Sequence, residues 1–232
     1  MKRADIKNTL IIIPVYNCEK HLDELFHRLS LVSEECQVLC INDGSTDNSL
    51  QMIKKNNVKC IDLFRNTGKG YALKTGFAHA KLKGYEYALT MDADLQHDPK
   101  IIPNILKTQN LFHADLVIGF RRFTLKNMPF ARFCSNSITS SVVSYMSNSK
   151  ILDSQSGFRL YDLSFIDVKK IKTTKYQMET EILLKYLKKG AKVFHTEIPV
   201  IYNDEKSNIS HMRDIYNFTK VMVNAMINKN DQ

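Results

Sequence analysis

Short apolar runs rich in β-branched residues alternate with longer helical patterns through the first 120 residues, and this alternation limits the possible folds most strongly. Such a pattern is typical of βαβ units around a mostly parallel sheet. It predicts strands at 10–14, 37–41, 58–62, 85–91 and 115–118, and helices at 19–32, 47–56, 68–83 and 99–111.

The remainder of the chain is expected to complete the same sheet. A helix at 129–147, a strand at 158–161, a helix at 176–189, a strand at 193–201 and a helix at 211–228 follow. The chain has only eight glycines and five prolines, too few to predict a flexible linker between two domains. We therefore expect one α/β domain over residues 1–232, with helices on both faces of its sheet and two halves that meet near residue 119.

The chain has a formal net charge of +9, and the excess lies in its second part. Residues 1–99 contain 13 basic and 13 acidic side chains, whereas residues 100–232 contain 20 and 11. A basic half can serve nucleic acid, an anionic membrane surface or a phosphorylated substrate. A soluble protein of high pI without any of these partners is the alternative.

Cysteine usage and hydropathy indicate a cytoplasmic protein. The five cysteines are odd in number and form no Cys-x-x-Cys pair, so neither a disulfide framework nor a zinc knuckle is expected. The apolar stretch at 10–15 is too short for a signal peptide or a membrane span. Membrane association would be peripheral, through the amphipathic segments 129–147 and 211–228. Packing of the last helix on the domain core is the alternative.

Polar and charged residues follow each of the first five predicted strands. In open α/β sheets, ligands bind beyond the carboxyl ends of the strands, so these residues are candidates for one binding rim. The segments are 14–17, 42–47, 65–70, 92–97 and 121–122.

Asp92 and Asp94 are the sharpest candidates within this rim. Mg²⁺ takes one or two carboxylates from a protein and fills its shell with water and substrate phosphates. Gln96 would add a neutral oxygen. The alternative is that the acids only solvate a loop and cap the next helix, but Asp98 already supplies that cap. The sequence therefore predicts a Mg²⁺ or Mn²⁺ site at these three residues.

Two further rim segments have both a binding and a structural interpretation. Asp43 can accept the N–H of a nucleobase or a sugar hydroxyl, whereas Asp47 is expected to be a helix N-cap. Lys69, between two glycines at the start of a helix, is placed either near a diphosphate or at a solvated helix terminus. The segment lacks the Walker spacing and a third glycine, so it is a weak motif alone.

Taken together, the segments resemble family 2 inverting glycosyltransferases of the GT-A fold, and among them the dolichyl- and polyprenyl-phosphate mannose or glucose transferases. The resemblance runs in order over roughly residues 9–207. The residues that carry it are Pro14-Val-Tyr-Asn17, Asn42-Asp-Gly-Ser-Thr-Asp47, Asn66-x-Gly-Lys-Gly70, Asp92-Ala-Asp-Leu-Gln-His97, Gly119-Phe-Arg121 and Asp153-x-x-x-Gly-Phe-Arg159.

This resemblance implies a Rossmann-like nucleotide-sugar site in the first half, with Mg²⁺ or Mn²⁺ on the donor diphosphate. The family's usual Glu after Tyr-Asn is replaced by Cys18, and Glu19 comes one place later. The residues implied to bind the nucleotide sugar are Pro14, Tyr16, Asn17, Glu19, Asp43, Asn66, Lys69, Asp92, Ala93, Asp94 and Gln96, and those implied to hold the metal are Asp92, Asp94 and Gln96.

The acceptor implied by the resemblance is a polyprenyl phosphate at the cytoplasmic face of a membrane. A phosphate monoester is mostly dianionic at pH 7, so it needs cationic positioning and no strong general base. The candidates to bind it are Arg121, Arg132, Arg159 and Ser207, with Asp94 and Arg121 as the catalytic residues. Near Ser207 the family's Arg and Lys are missing, and Lys206 is a loose substitute.

Other functions are weighed against this one. Transfer to a glycan hydroxyl needs a carboxylate base, for which Glu179 and Glu181 are the late candidates. A dinucleotide-dependent oxidoreductase would need Gly-x-Gly-x-x-Gly after the first strand, where Pro14-Val-Tyr-Asn17 stands. A non-catalytic sugar-nucleotide or membrane-binding module is disfavoured by the intact acidic motif. Nucleic acid is not an expected partner, whereas a second copy of the chain and a membrane protein stay open.

Overall fold

A computed structural model describes residues 3–122, 130–175 and 177–201 of the 232-residue chain. Seven strands and six helices are assigned there. The strands are β1 (Thr9–Val15), β2 (Gln37–Asn42), β3 (Lys59–Asp62), β4 (Tyr87–Thr90), β5 (Leu116–Arg121), β6 (Arg159–Asp162) and β7 (Val193–Ile198). The helices are α1 (Glu19–Ser30), α2 (Ser49–Lys55), α3 (Lys69–Leu82), α4 (Ile102–Phe112), α5 (Phe130–Ser147) and α6 (Gln177–Lys188).

All seven strands form one sheet in the order β3-β2-β1-β4-β6-β5-β7. β1, β2, β3 and β4 pair in parallel, as do β5 and β7. β6 runs antiparallel to both of its neighbours, β4 and β5. The predicted α/β class with a mostly parallel sheet is confirmed, and the antiparallel strand inserted between β4 and β5 is an addition to it.

Helices cover both faces of this sheet, as predicted, and alternate residues of β1 show why. Ile12 packs in a cluster with residues of α3, α5 and α6, whereas Ile11 and Ile13 pack in a second cluster with residues of α1, α2 and α4. Successive side chains of a strand point to opposite faces. Each of these isoleucines has no exposed surface, and such burial contributes about 1.5–3 kcal/mol per side chain.

The predicted helix caps are confirmed at one position and corrected at another. Asp98 accepts a hydrogen bond from the Lys100 N–H at 3.0 Å, and Pro99 opens a short 3₁₀ turn before α4. α2, however, begins after Asn48, so Asp47 is not its N-cap. The carboxylate of Asp47 accepts hydrogen bonds from the Ser49 N–H at 3.0 Å and from the Glu19 N–H, at the start of α1, at 3.1 Å.

Several predictions concern residues outside the described part of the chain. These are the helix at 211–228 and the acceptor candidates Lys206 and Ser207. Within the described residues, no helix combines the length and the apolar character needed to cross a bilayer.

Candidate active site

The five predicted segments of the rim lie at one edge of the sheet, because β1 to β4 are parallel and β4 and β5 are both antiparallel to β6. The antiparallel β6 begins where its neighbours end. Its first residue, Arg159, stands in register with Thr90 of β4 and Ile118 of β5. The loop that precedes β6, residues 153–157, therefore belongs to the same rim. The motif from Asp153 to Arg159 carried the family resemblance, but the predicted strand pattern did not place it at this edge.

Asp92, two residues beyond β4, is paired with a lysine. Its Oδ1 lies 2.6 Å from Nζ of Lys69, the first residue of α3. Burial opposes ionisation of Asp92, but the positive charges of Lys69 and Arg121 prevail, so the pKa of Asp92 is lowered. Asp92 is thus held as a carboxylate.

Asp94 has the opposite electrostatic environment. Burial and the neighbouring charge of Asp92 raise the pKa of Asp94. Its Oδ1 accepts the Gln96 N–H at 3.0 Å, in a turn where Leu95 has a φ of 62°. The chain therefore brings a second, less favourably solvated carboxylate next to the first, an arrangement that a cation would stabilise.

His97, for which the sequence predicts no role, holds the backbone of this acidic segment. Its Nδ1 accepts the Asp92 N–H at 3.0 Å, and its ring stacks on Phe158 at a centroid distance of 5.0 Å. Burial lowers the pKa of His97 to about 4, so the imidazole is neutral and keeps the lone pair that this hydrogen bond requires. Its place five residues after Asp92 was the only signal.

Lys69 also connects the acidic segment to α6. Its Nζ lies 3.3 Å from Oε1 of Glu179, whose side chain is 8% exposed. Gly157 backs this cluster, since a Cβ there would lie 2.9 Å from the Lys69 Nζ and 3.0 Å from Oδ2 of Asp92. Burial alone would lower the pKa of Lys69, but Asp92 and Glu179 raise it, so the lysine is charged.

Asp43 orients the loop that carries Lys69. Its Oδ1 accepts hydrogen bonds from the Thr67 N–H at 2.8 Å and the Thr67 hydroxyl at 2.7 Å, and its Oδ2 accepts the Gly68 N–H at 2.8 Å. Gly68 has a φ of 97°, which an L side chain rarely adopts. The observed role of Asp43 is thus to shape the β3–α3 turn, and its contact with a nucleoside stays a prediction.

The loops after β1 and β2 are joined by their own side chains. Oδ1 of Asn17 accepts the Thr46 N–H at 2.8 Å. Glu19 Oε2 accepts the Asn48 N–H at 2.8 Å, while Asp47 Oδ2 accepts the Glu19 N–H at 3.1 Å. α1 and α2 thus cap each other reciprocally. Asn17 and Glu19 therefore hold the two loops together, and their contact with a nucleotide stays a prediction.

The remaining residues predicted to bind the nucleotide sugar differ in how exposed they are. Tyr16 is 45% exposed and Asn66 is exposed, whereas Pro14 is half-buried and Ala93 is buried. Tyr16 and Asn66 therefore offer side-chain surface to a ligand. Ala93 has almost none, so only its backbone is suited to contact one.

Arg121, predicted to bind an acceptor phosphate, is a cation at the end of β5. Its Nε lies 2.9 Å from Oδ2 of Asp153, a carboxylate with no exposed side-chain surface. A second contact joins Nη2 to Oδ1 at 3.4 Å. The Arg121 side chain is 24% exposed, so this buried acid fixes one edge of a guanidinium that still reaches the surface.

Arg159 requires a correction. It was expected to bind an acceptor phosphate, but the residue has no exposed surface. Its guanidinium donates to three backbone carbonyls, those of Ser154, Ser156 and Glu179, at 2.7, 2.6 and 2.9 Å. Arg159 therefore fixes the 153–157 loop and the start of α6 from beneath, away from any ligand.

Two other acceptor-side candidates are placed only in part or differently. The backbone of Arg132 lies in α5, but its side chain is outside what the structure describes, as is all of Ser207. Glu181, an alternative catalytic base, accepts hydrogen bonds from the Thr173 N–H at 2.8 Å and from the Lys172 N–H at 2.9 Å. Its carboxylate therefore serves a structural role, and the prediction of Glu181 as a catalytic base is wrong.

The acidic segment suits Mg²⁺ or Mn²⁺ bound together with a donor. The described residues contain no cluster of three or more His, Cys, Asp or Glu side chains arranged as a metal site. Mg²⁺ does not require one, because it binds one or two carboxylates plus substrate phosphates. The raised pKa of Asp94 marks the position where a cation is most favourable. Because Asp92 is paired with Lys69, Asp94 and Gln96 are the residues best suited to bind the metal ion.

Comparison with known proteins now decides the family. The family model described as Glycosyl transferase family 2 matches residues 10–174, which include every rim segment described above. The chain belongs to this family. The resemblance inferred from its motifs is thereby confirmed, and the protein is a glycosyltransferase.

Two relatives of this glycosyltransferase cover most of its length. An uncharacterized protein of Methanocaldococcus jannaschii is 31% identical over 92% of this chain and 97% of its own. A protein of Mycolicibacterium smegmatis named polyprenol monophosphomannose synthase is 25% identical, over 89% of this chain and 81% of its own.

A solved structure shares the fold of the glycosyltransferase. Glucosyl-3-phosphoglycerate synthase from Mycobacterium tuberculosis, crystallised with Mn²⁺, uridine diphosphate and glucosyl-3-phosphoglycerate, has a TM-score of 0.70. The match covers 94% of this chain and 78% of that one at 14% identity. It supports the GT-A architecture.

Proposed function

We propose that this glycosyltransferase moves a sugar from a nucleoside diphosphate to a polyprenyl phosphate, with inversion at the anomeric carbon and with Mg²⁺ or Mn²⁺ as cofactor. One observation carries the proposal: a carboxylate pair, Asp92 and Asp94, shares a rim with two buried or half-buried cations, Lys69 and Arg121. Such a rim matches a reaction between two phosphorylated substrates. The relative named polyprenol monophosphomannose synthase supports the choice of acceptor.

The donor is assigned to the side of the rim formed by β1 to β4. Tyr16 and Asn66 offer exposed surface to the nucleoside, on a floor held by the Asp43 hydrogen bonds. Asp94 and Gln96 would hold the divalent ion, which supplies positive charge to the diphosphate when bound. Lys69 is the first residue of α3, so its ammonium adds to the partial positive charge of the helix N-terminus.

The acceptor is assigned to Arg121. A guanidinium can bind two phosphate oxygens at once, and the buried Asp153 fixes its orientation. A phosphate dianion attacks without losing a proton, so no general base is needed. The arrangement agrees with this, because Glu179, the remaining carboxylate candidate, is buried and paired with Lys69. These contacts favour a phosphate acceptor over a glycan hydroxyl.

In the proposed step, an oxygen of the acceptor phosphate forms a bond to the anomeric carbon while the bond from that carbon to the diphosphate oxygen breaks. The leaving nucleoside diphosphate gains the electron pair. Lys69 stabilises this growing negative charge, and Arg121 holds the attacking phosphate in line. Attack from the face opposite the leaving group inverts the configuration.

The test is an incubation of the protein with Mn²⁺, radiolabelled nucleotide sugars and polyprenyl phosphate, followed by extraction into an organic solvent. We expect label in the organic phase, and a loss of about 100-fold or more in Arg121→Gln. Arg122→Gln is the matched control, since Arg122 is more exposed and pairs with Glu197. Label that enters only a water-soluble glycan would replace the proposal with the hydroxyl acceptor.

A further inference from the structure

Lysines are concentrated on one stretch of the surface, residues 164–192, which joins β6 to β7. The described part of this stretch contains eight lysines and three acids. We call its exposed lysines, together with the outer side of α6, the lysine face. The exposed members are Lys169, Lys170, Lys172, Lys175, Lys188, Lys189 and Lys192.

The three acids of this stretch are used within the fold. Glu179 is paired with Lys69 at the active site, and Glu181 accepts backbone N–H groups at 172–173. Asp167 accepts the Lys169 N–H at 3.1 Å as the cap of a 3₁₀ turn. The lysine face therefore has a strong positive excess at its surface.

The backbone beneath the lysine face is firmly held. Nζ of Lys74 donates to the Ile171 carbonyl at 2.9 Å, and Nζ of Lys189 donates to the Phe165 carbonyl at 2.7 Å. Lys81 and Lys185 donate to two further carbonyls, those of Ile166 and Lys170. The backbone that carries these lysines is therefore fixed, so their charges lie on a defined surface.

The lysine face leads to the rim of the active site. The segment 166–175 follows α3, because Lys81 contacts its beginning, Lys74 its middle and Tyr71 its end. The Tyr71 N–H donates to the Thr174 carbonyl at 2.9 Å. Tyr71 lies in the first turn of α3, two residues after Lys69. A surface bound along these lysines would thus lie beside the site.

Exposed apolar side chains occur on the same side of the sheet. α5 shares the core cluster of α3 and α6 through Val143. Ile138 and Tyr145, seven residues apart on α5, are 63% and 89% exposed. Their spacing places them on one stripe of the helix, opposite Val143. Because α5 contacts α6, this apolar stripe and the lysine face lie on the same side of the sheet, and apolar and basic side chains together bind a membrane interface.

We propose that the side of the sheet covered by α3, α6 and α5 docks on an anionic bilayer, with the lysine face on the headgroups and the Ile138–Tyr145 stripe at the acyl boundary. The inference deepens the proposed function by stating which surface meets the membrane that contains the acceptor. Charge complementarity selects the partner, because lysines near an anionic leaflet each strengthen binding and do so additively.

The test is co-sedimentation with vesicles made of equal parts phosphatidylcholine and phosphatidylglycerol, without donor or acceptor. The wild type is expected to bind these vesicles and to bind much less to phosphatidylcholine alone. The triple variant Lys169→Glu, Lys170→Glu, Lys172→Glu should bind the anionic vesicles about 100-fold more weakly. High salt should weaken wild-type binding, since exposed charges are screened within about 8–10 Å.

A matched triple variant separates this face from net charge. Lys54→Glu, Lys59→Glu, Lys107→Glu makes the same change at exposed lysines of α2, β3 and α4, and should retain vesicle binding to within about threefold. Equal losses in both variants would overturn the proposal, as would wild-type binding to RNA but not to vesicles.

Activity distinguishes this proposal from the proposed function. The lysine-face variant should still glycosylate a short, water-soluble polyprenyl phosphate at the wild-type rate, but lose transfer to a long-chain acceptor in vesicles. A wild type that binds vesicles and transfers no sugar would sustain the docking surface and reject the lipid-phosphate acceptor.

Discussion

Charged side chains at the rim contact one another as well as, in our proposal, the two substrates. Lys69 lies between Asp92 and Glu179, and Arg121 is held by Asp153. Each ligand-binding charge thus has a partner within the fold that fixes its position. Preorganisation of this kind lowers the cost of ordering charges when substrates bind.

Asp94→Asn should separate metal binding from folding. The pKa of Asp94 is raised by burial and by Asp92, so its ionised form destabilises the protein when no cation is bound. We expect metal-free Asp94→Asn to be at least as stable as the wild type in thermal unfolding. Mn²⁺ affinity, measured by calorimetry with nucleoside diphosphate present, and sugar transfer should each fall about 100-fold or more.

The matched control for this change is Asp98→Asn. It removes the same charge four residues later and keeps a residue that caps equally well. Near wild-type transfer is expected. Asp94→Asn with undiminished Mn²⁺ affinity would exclude Asp94 as a metal ligand.

Arg159→Lys tests whether Arg159 supports the site or binds substrate. A lysine has a single nitrogen and does not reach three carbonyls in different directions, so we expect a loss of about 3 kcal/mol in the free energy of unfolding. The KM for polyprenyl phosphate should stay unchanged in the folded enzyme. Urea unfolding and steady-state kinetics measure the two effects, and a raised KM at wild-type stability would restore Arg159 as an acceptor ligand.

Sequence spacing identified which residues reach the rim, but not which groups their side chains contact. Asp43, next to the end of β2, accepts hydrogen bonds from the backbone at 67–68, and Arg159 donates one to the Glu179 carbonyl, 20 residues further along the chain. These contacts join segments that are far apart in the sequence, so spacing along the chain does not predict them. For that reason, Asp92 and Lys69 were recognised individually, while their contact was not.

Among the elements, the 153–157 loop connects the two cations of the rim, Arg121 and Lys69. Asp153 fixes Arg121, and Gly157 lies against the Lys69 cluster. Ser154 is bound to α5, since its N–H donates to the Ser140 hydroxyl at 3.0 Å. The loop therefore links α5 to the charged residues of the site.

Gly157→Ala is expected to lower activity more than stability. The new Cβ would stand 2.9 Å from the Lys69 Nζ and 3.0 and 3.1 Å from carboxylate oxygens of Asp92 and Glu179, which are the ends of side chains and not backbone atoms. Displacement of that ammonium should reduce kcat by about 10- to 100-fold, while the melting temperature changes by a few degrees. Unchanged kcat would mean that the position of Lys69 has no effect on transfer.

Glu181→Gln should destabilise α6 in a pH-dependent manner. Burial opposes ionisation of Glu181, but hydrogen bonds from Lys185, Thr173 and Lys172 lower its pKa below the usual 4.5. Because the folded pKa is lowered, the stabilisation is present above pH 4.5 and is lost as the pH falls further. Urea unfolding should show a loss of about 2 kcal/mol at neutral pH that shrinks at acidic pH.

The control for this effect is Glu35→Gln, at an exposed pair with Lys7 that contributes little. If Glu181→Gln lost the same free energy of unfolding at every pH, the stabilisation would not depend on the ionisation of Glu181.

The elements themselves followed closely from sequence. β1, β2, α3 and α6 begin and end within about two residues of their predicted bounds, because apolar periodicity reports burial directly. The direction of β6 did not follow, since a four-residue strand carries no signal of what it pairs with. Only the register with β4 and β5 shows that Arg159 begins at the rim.

At the scale of the whole molecule, ligand binding should appear as added stability. A nucleoside diphosphate together with Mn²⁺, at about 100 times its Kd, should raise the melting temperature by about 5–10 °C. Each alone should have a smaller effect, because the diphosphate and the acidic segment are both negatively charged. Thermal unfolding across the nucleoside diphosphates also identifies the base, and no shift with any of them would oppose a nucleotide donor.

The position of β6 has a consequence for how this protein can be taken apart. β6 fills the gap between β4 and β5, and it comes from the second half of the chain. A fragment that stops near residue 119 would leave two strands without a shared neighbour. The two halves of the chain are thus not interchangeable modules, and a chimera of this protein must keep β6 and graft only the helices and loops around it.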